Sequence, residues 1–308
     1  MMTKKTILLL SGLLFSLVLF AQKNKYPEIS NQSLILQGDK CGWDANTVHT
    51  FSIVEVNKDG YKYWAYYALD HYNDRDPFVR KGGLARSNDL LNWEKYENNP
   101  IINKNCRWPT VIYKNNTFYM FYAEYNDDVD SRIVMLSSKD GIDFGNRTLI
   151  TEYQSGQQNQ NPFIYFNDRD NTFYLFYYNG TERAKVNKRW NIMVKKNKDI
   201  NKLKDSDSVT VISSDETIAA PSVAFYNGTY YLLVEEFNNS KLQDRWVTNA
   251  FYSDKIDSGY KRVTNNPILS NNDACAFQYM INGKLYVSYS HAVNEETSKW
   301  NLQMIKLK

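Results

Sequence analysis

Short apolar stretches alternate with polar turns along this chain, and one arrangement keeps returning. An apolar strand, a turn rich in Asn, Asp or Gly, and a second strand dense in Tyr and Phe form one unit, as in RWPTVIYKNNTFYMFYAEY. Asn and Gly adopt the backbone angles that tight turns need, so each unit predicts a β-hairpin. The unit occurs at residues 49–71, 107–125, 160–180, 219–237 and 275–292.

The stretch after the hairpin recurs as well. A strand, then a Ser and an Asp, then a turn occupy residues 83–93, 134–144 and 251–260. The nearly identical ENNPII and TNNPIL, at 97–102 and 264–269, close the first and fourth units. Each unit therefore predicts four antiparallel strands, and no segment keeps the 3.6-residue apolar period of a helix.

The spacing of the units indicates the architecture. The anchor positions, roughly 53 to 59 residues apart and in the range typical of repeat folds, are Phe51, Pro109, Pro162, Pro221 and Phe277. Repeated four-stranded units predict an all-β, five-bladed β-propeller of four-stranded antiparallel blades, as a single domain over residues 22–308. An all-β sandwich is the alternative, but it does not explain the long four-strand period.

The first residues have a different character. Lys4 and Lys5 precede an apolar run from Ile7 to Phe20, and the small Ala21 follows. This pattern predicts a secretory signal peptide over residues 1–21. A membrane anchor is the alternative, but the apolar run is short of a full span. We therefore expect an exported protein, periplasmic or secreted, with no stable membrane insertion after cleavage.

Composition narrows the classes of partner. The 37 basic and 34 acidic residues leave a net charge of only +3, so no nucleic-acid footprint is expected. The 24 Tyr, 15 Phe and 7 Trp residues favour strands and also offer flat faces for sugars. Oligomeric state is not indicated.

The cysteines and the metal-binding residues predict little chemistry. Cys41, Cys106 and Cys275 allow at most one disulfide, and no Cys/His spacing suits a metal. We expect no metal and no cofactor. A Ca²⁺ ion in the channel remains open, although no dedicated loop motif supports it.

A propeller would bring particular residues to one mouth. The inner strand of each blade starts at one end of the channel, and the second strand returns there. The residues expected at that mouth carry carboxylate, amide, guanidinium, imidazole and indole groups: Trp43, Asp44, His49, Asp70, His71, Arg107, Trp108, Glu124, Gln160, Asn161, Glu235, Glu236, Asp273 and His291. Such groups suit sugar hydroxyls and sugar ring faces, so a carbohydrate is the expected partner. A merely hydrated channel is the alternative explanation.

With these features the chain resembles the five-bladed propeller glycosidases, namely glycoside hydrolase family 43 and its relatives in families 32, 117 and 130. The resemblance spans the chain after the signal segment. It rests on the x-Pro-x-Val first strands, the Tyr-x-Phe-Tyr second strands and the Ser-x-Asp turns. It implies an enzyme that cleaves glycosidic bonds.

The chain departs from the family 43 pattern of three acidic residues at the starts of first strands. Thr50 and Phe51 stand in the first unit, Thr110 follows Pro109 in the second, and Gln160 takes the place of the acid in the third. If the catalytic groups have moved, the resemblance implies other acids.

The replacement candidates are Asp44 as the base and Glu124 and Glu236 as acid or pKa modulator. Some family 117 relatives use a histidine acid, which keeps His291 and His71 as further candidates. Two such groups, in an inverting arrangement that leaves room for a water, would define a hydrolase. The alternative is a propeller that binds a glycan without cleaving it. A structural or protein-binding propeller fits the polar mouth less well.

Overall fold

The computed structural model describes residues 24–45, 47–69, 80–125, 130–152, 156–180, 189–237, 246–271, 273–294 and 299–307. The predicted signal segment, Asp70 and His71 lie outside the described residues. The first half contains strands β1 (Ile29–Gln37), β2 (His49–Lys58), β3 (Tyr61–Ala68), β4 (Gly82–Ser87), β5 (Glu94–Lys95), β6 (Arg107–Lys114), β7 (Thr117–Tyr125), β8 (Ser131–Ser138), β9 (Gly145–Leu149) and β10 (Gln158–Asn167).

The second half contains β11 (Thr172–Gly180), β12 (Trp190–Asn197), β13 (Ser208–Ser214), β14 (Ile218–Tyr226), β15 (Thr229–Phe237), β16 (Trp246–Ser253), β17 (Lys261–Arg262), β18 (Ala274–Ile281), β19 (Lys284–Asn294) and β20 (Lys299–Leu307). In the described parts of the chain the one helix is a 3-10 turn, Ile200–Asp205. No helix in the described residues is long and apolar enough to cross a membrane. The prediction of an all-β chain is confirmed.

The strands assemble into antiparallel groups of four. We name them sheet 1 (β2–β5), sheet 2 (β6–β9), sheet 3 (β10–β13), sheet 4 (β14–β17) and sheet 5 (β18–β20 with β1). A single parallel pairing, Ser131 with Gln158, joins the strands of sheets 2 and 3 into one continuous sheet. In sheet 5 the early strand β1 pairs with the late strand β20, so the two ends of the described chain share one sheet. The four-strand units predicted from the sequence are therefore present.

The first strands of the sheets lie next to one another in a circuit. β2 contacts β6, β6 contacts β10, β10 contacts β14, β14 contacts β18, and β18 contacts β2 again. Within the described residues, hydrophobic clusters fill the space between each pair of consecutive sheets, including sheets 5 and 1. Between sheets 1 and 2, for example, Trp64 stacks on Phe118 at 5.6 Å between ring centroids. Full burial of such a side chain contributes about 1.5–3 kcal/mol.

Every first strand carries the same irregularity near its start. The pairing with the second strand shifts by a β-bulge, and the bulged residue has a positive φ of 46° to 58°. These residues are Thr50, Trp108, Asn161, Ala220 and Cys275. No glycine is among them, so each conformation costs free energy, on the order of 1 to 3 kcal/mol. Bulges of this kind redirect side chains and are frequent beside active sites.

The bulges also correct the repeat alignment. Phe51, Pro109, Pro162 and Pro221 each follow a bulged residue directly, as predicted for equivalent positions. In the fifth sheet the residue in that place is Ala276 rather than the predicted anchor Phe277. Because Ala276 and Phe277 are both apolar, the sequence pattern did not show which of them is the anchor position.

Candidate functional site

The bulged residues of different sheets meet, and we name them the central cluster: Thr50, Trp108, Asn161, Ala220 and Cys275. The Asn161 amide nitrogen lies 4.0 Å from Cys275 Sγ, and the Cys275 thiol is also hydrogen-bonded to Thr50. Trp108 reaches from sheet 2 to pack on the hydrophobic cluster that contains Ala220 and Cys275. The bulged ends of the first strands thus meet at one point.

Glu235 lies against this cluster. It faces Ala219 across the sheet, near the end of β15, and the backbone N–H of Cys275 donates to its Oε1. The side chain is buried. Burial raises the pKa of the Glu235 carboxyl to about 7, although the Cys275 N–H opposes the rise by favouring the charged form. A carboxyl with this pKa is partly protonated near neutral pH.

An equivalent contact joins sheets 5 and 1, with Ser290 in the place of Glu235. The backbone N–H of Thr50 donates to Ser290 Oγ at 3.2 Å, and Ser290 faces Ala274 at the register position that Glu235 has opposite Ala219. A serine therefore suffices to satisfy the N–H of a bulged residue. The carboxyl at Glu235 exceeds what this structural contact requires.

A histidine and an aspartate form a second pair close by. His291 Nδ1 lies 2.7 Å from Asp273 Oδ1, and Asp273 precedes Cys275 by two residues. The Asp273 carboxyl is buried, whereas 36% of the His291 side chain is exposed. A carboxylate bound to Nδ1 fixes the orientation of the ring and leaves Nε2 to exchange a proton with solvent or ligand.

His49 is a buried and neutral imidazole next to Thr50. Its Nδ1 lies 3.1 Å from Thr50 Oγ1, and its ring meets the Trp300 ring edge-on at 5.3 Å. Burial, and to a smaller extent the charge of Arg80, lower the pKa of His49 to about 3. The ring can therefore donate or accept one hydrogen bond without carrying charge in the neutral range.

Arg107 and Gln160 occupy matching positions, each one residue before a bulged residue on neighbouring first strands. The Arg107 guanidinium lies over the Tyr125 ring at 3.7 Å from its centroid. Gln160 is 6% exposed, and its Nε2 has no hydrogen-bond acceptor among the described residues. A buried donor left in this way costs free energy until a ligand or water accepts from it.

Each carboxylate of the expected catalytic trio, Asp44, Glu124 and Glu236, is paired with a basic side chain. Asp44 is buried at 1% exposure, and its Oδ2 accepts from Lys95 at 2.7 Å and from Tyr67 at 3.3 Å. Trp43 stacks on the same Tyr67 ring at 5.6 Å. Gly83 allows this close approach, since a Cβ there would lie 2.7 Å from both rings. Asp44 and Trp43 are thus held against side chains of sheet 1.

Glu124 and Glu236 are held in ion pairs within their own sheets. Arg147 on β9 donates to Glu124 Oε2 at 2.6 Å, and Arg132 is 3.3 Å from the same oxygen. Although burial alone would raise the pKa of Glu124, these arginines lower it. Arg262 on β17 binds Glu236 in the matching way. Both carboxylates therefore connect the second strand of a sheet to its fourth.

The difference between Glu235 and its neighbour follows from register. Side chains alternate between the two faces of a strand, so a one-residue slip exchanges the faces. The predicted alignment of second-strand ends used Ala68, Glu124, Asn179, Glu236 and His291. The positions opposite the residue before each bulge are Ala68, Ala123, Tyr178, Glu235 and Ser290, which agree with that alignment only at Ala68 and lie one residue earlier in the other four sheets.

The sequence reasoning missed two contributors. Thr50 was read only as a departure from an acidic motif, although it precedes Phe51 as Asn161 precedes Pro162. The other is Arg80, whose carbonyl accepts the Cys106 N–H at 3.0 Å, directly before Arg107. No local sequence pattern marks that contact. All three cysteines are free thiols, and the described residues contain no cluster of three or more His, Cys, Asp or Glu that could hold a metal.

Known proteins resemble this chain in part of its sequence and in its fold. Residues 36–160, less than half of the chain, match the model of the glycosyl hydrolases family 32 N-terminal domain. Comparison with curated protein sequences gives no significant match. A thermostable family-43 glycoside hydrolase superposes with a TM-score of 0.65 at 17% identity, covering 85% of this chain and 89% of that one.

Two further structures are similar over nearly their whole length. The endo-arabinase from Bacteroides thetaiotaomicron has a TM-score of 0.63 at 14% identity, covering 90% of this chain and 98% of its own. The catalytic domain of a Coprinopsis cinerea GH62 α-L-arabinofuranosidase has 0.66 at 11%, covering 92% and 98%. The chain shares the fold of these glycoside hydrolases. At such identities the similarity concerns the fold, and the chemistry has to be argued from the residues of the site.

Proposed function

We propose that the protein is an exported glycoside hydrolase whose sheets 1 to 5 are the blades of a five-bladed β-propeller, with the carbohydrate bound at the central cluster. The circuit of contacts from β2 through β18 and back supports the propeller. The family 32 match and the glycosidase folds support the enzyme class. Trp108, partly exposed and lying across the central cluster, offers an indole face to a sugar ring.

The observation that carries the proposal is the buried carboxyl of Glu235 at the meeting point of the first strands. Glycoside hydrolysis needs one group that protonates the leaving oxygen and a second that activates water or attacks the sugar. Glu235 is suited to the first task, because its pKa of about 7 keeps part of the carboxyl protonated near neutrality.

His291 is the proposed partner of Glu235. The Asp273 carboxylate orients its ring, and the exposed part of the imidazole can take a proton from water as that water attacks the anomeric carbon. Attack by a free water gives inversion. In this assignment Glu235 and His291 take the roles first expected of Asp44, Glu124 and Glu236, whose carboxylates are bound by Lys95 or by arginines.

A glycan-binding protein without hydrolytic activity is the second candidate. It is favoured by the residues at the first-strand positions where family 43 enzymes hold acids. Thr110 is buried and accepts the Ile164 N–H at 3.4 Å, and Gln160 presents an amide that cannot ionise. Neither residue can act as an acid or a base.

Turnover separates the two candidates. Purified protein is incubated with a panel of aryl glycosides and oligosaccharides, beside Glu235→Gln and the adjacent Glu236→Gln as the matched control. Glutamine keeps an oxygen for the Cys275 N–H, so Glu235→Gln should fold normally and lose at least 100-fold in turnover. Glu236→Gln should stay within threefold of wild type. If wild type releases no sugar but binds to a glycan array, the protein is a glycan-binding protein without hydrolytic activity.

A further inference from the structure

The residues that precede β1 lie against sheet 4, and we name residues 24–26 the strap. The turn after β17 holds the strap by its backbone. The Thr264 N–H donates to the Asn24 carbonyl at 2.7 Å. The Asn265 side chain accepts from the Tyr26 N–H at 2.9 Å and donates to the Tyr26 carbonyl at 3.1 Å. The main chain of the strap is therefore fixed at both of its ends.

Tyr26 extends from the strap into the space between sheets 4 and 5. It is 2% exposed, and its ring meets the Tyr231 ring edge-on at 5.4 Å between centroids. Its hydroxyl donates to Gln278 Oε1 at 2.8 Å. Burial raises the pKa of this hydroxyl well above its usual range. The phenol therefore keeps its proton and remains a donor to Gln278.

Gln278 uses the other end of its amide to bind sheet 4. It lies on β18 of sheet 5, and its Nε2 donates to the Ser222 carbonyl on β14 at 2.7 Å and to the Tyr231 carbonyl on β15 at 3.0 Å. The side chain is buried, and both ends of its amide have partners. Moving it would leave buried polar groups unpaired, which is unfavourable. Gln278 therefore fixes the separation of sheets 4 and 5.

The contact between Glu235 and Cys275 joins the same two sheets. Glu235 follows Tyr231 by four residues on β15, and Cys275 precedes Gln278 by three residues on β18. At about 3.3 Å per residue, the two connections are about 10 to 13 Å apart along the strands. An apolar cluster fills the junction between the sheets. Separation of the sheets at Gln278 would therefore admit water toward the Glu235 carboxyl.

We propose that Gln278, oriented by Tyr26, is a positioning residue for Glu235, because it holds sheets 4 and 5 together and keeps the space around the carboxyl dry. A dry environment keeps the carboxyl partly protonated near neutral pH and so able to act as an acid. The inference deepens the proposed function and rests on it for the catalytic role of Glu235. Gln278 acts through Glu235 and not on the sugar.

Other ionisable groups face the same junction. In the described part of the chain they are Tyr26, Tyr231, Asp273, Cys275, Tyr289 and His291. Burial raises the pKa of the three tyrosines and of the Cys275 thiol, so these four groups are neutral. Asp273 and His291 form a pair of their own. The His291 ring is therefore titrated alongside Glu235, so that a change in its charge is recognised.

The experiment measures the pKa of Glu235 by carbon-13 NMR of protein labelled at the glutamate carboxyl carbons, with Glu235→Gln to assign the signal. Gln278→Leu removes every hydrogen bond of the amide and keeps a side chain of similar size. The pKa of Glu235 should fall by about one unit or more in this variant, toward the ordinary value of 4.5, because water reaches the carboxyl. Tyr26→Phe removes only the hydroxyl and should lower that pKa by a smaller amount.

Gln303→Leu is the matched control. Gln303 also accepts from a tyrosine hydroxyl, that of Tyr289 at 3.1 Å, but the two residues pair within sheet 5. This variant should leave the titration of Glu235 unchanged, and thermal unfolding shows that each variant is folded. An unshifted pKa in folded Gln278→Leu, or the same shift in Gln303→Leu, would overturn the proposal. If Gln278→Leu does not fold, the folded Tyr26→Phe variant decides in the same way.

The same variants distinguish this inference from the function on which it rests. At a pH above the wild-type pKa of about 7, kcat of Gln278→Leu should fall about tenfold for each unit by which the pKa of Glu235 falls, and KM should stay within about twofold. If Glu235→Gln keeps its turnover, the catalytic role fails, and the titration still decides the role of Gln278. If turnover depends on Glu235 but its titration is the same in all variants, the catalytic role stands and the positioning role fails.

Discussion

Glu235 accepts the backbone N–H of Cys275, so a carboxyl of sheet 4 secures the bulged residue at the start of sheet 5. Structural support and the proposed proton chemistry thus depend on the same side chain. At the next junction Ser290 gives the support alone. Replacing a serine-sized acceptor with a buried carboxyl costs stability wherever that carboxyl is ionised.

This cost predicts a pH dependence of stability. The folded pKa of Glu235, about 7, lies above the ordinary value of 4.5 for a glutamate, so the folded state holds the proton more tightly. The free energy of unfolding should therefore fall as pH rises from about 4.5 to about 7, by an amount on the order of 3 kcal/mol. Urea unfolding of wild type and Glu235→Gln across this range measures it. Identical slopes in the two proteins would contradict the shifted pKa.

His49 should contribute the opposite slope. Its folded pKa of about 3 lies below the ordinary value of 6.5 for a histidine, so the unfolded state takes up a proton more readily. Stability from the neutral ring is complete above about pH 6.5 and is lost as pH falls toward 3. His49→Gln should flatten the acid limb of the unfolding curve. An unchanged acid limb in this variant would show that the ring titrates normally.

Lys95 should be needed for folding rather than for turnover. Its Nζ lies 2.7 Å from the buried Asp44 carboxylate and 2.9 Å from the exposed Asp39. Lys95→Met would leave Asp44 buried and uncompensated, at a cost of about 3–5 kcal/mol. The double variant with Asp44→Asn should recover much of this loss in chemical denaturation. If Asp44→Asn alone keeps its stability but loses turnover, Asp44 is a catalytic base as first expected.

Glu124→Gln should have a modest effect. The partner Arg147 is 44% exposed, so its ion pair is screened by solvent, and we expect a loss of about 1 kcal/mol or less. Turnover should stay within threefold of wild type, in contrast to Glu235→Gln. A loss of turnover comparable to that of Glu235→Gln would return Glu124 to the catalytic group.

The sequence predicted the hairpins and the four-strand units because their signals are local. Asn and Gly turns and Tyr-rich strands act over a few residues, as in the Asn115–Asn116 turn, where both residues have positive φ. Register was less predictable. Glu235 and Glu236 are adjacent, and the bulge before Ser222 decides which of them faces the cluster. A bulge leaves no distinct mark in strands that begin with Ala-Pro or Asn-Pro.

Ion pairs between residues distant in the sequence could not be predicted from local sequence patterns either. Asp44 and Lys95 are 51 residues apart, and Glu124 and Arg147 are 23 apart. Their pairing depends on strand order and on which face of a sheet each side chain occupies. Candidate residues such as His49, Gln160 and Asp273 could be chosen from their position in the repeat, but their contacts could not be predicted.

The pairing of β1 with β20 has a consequence for the making of the protein. During synthesis residues 29–37 emerge before every other described strand, but the strand that they pair with, residues 299–307, emerges after all of them. The fifth sheet therefore cannot be completed until residues 299–307 have left the ribosome, and β1 has no partner strand before then.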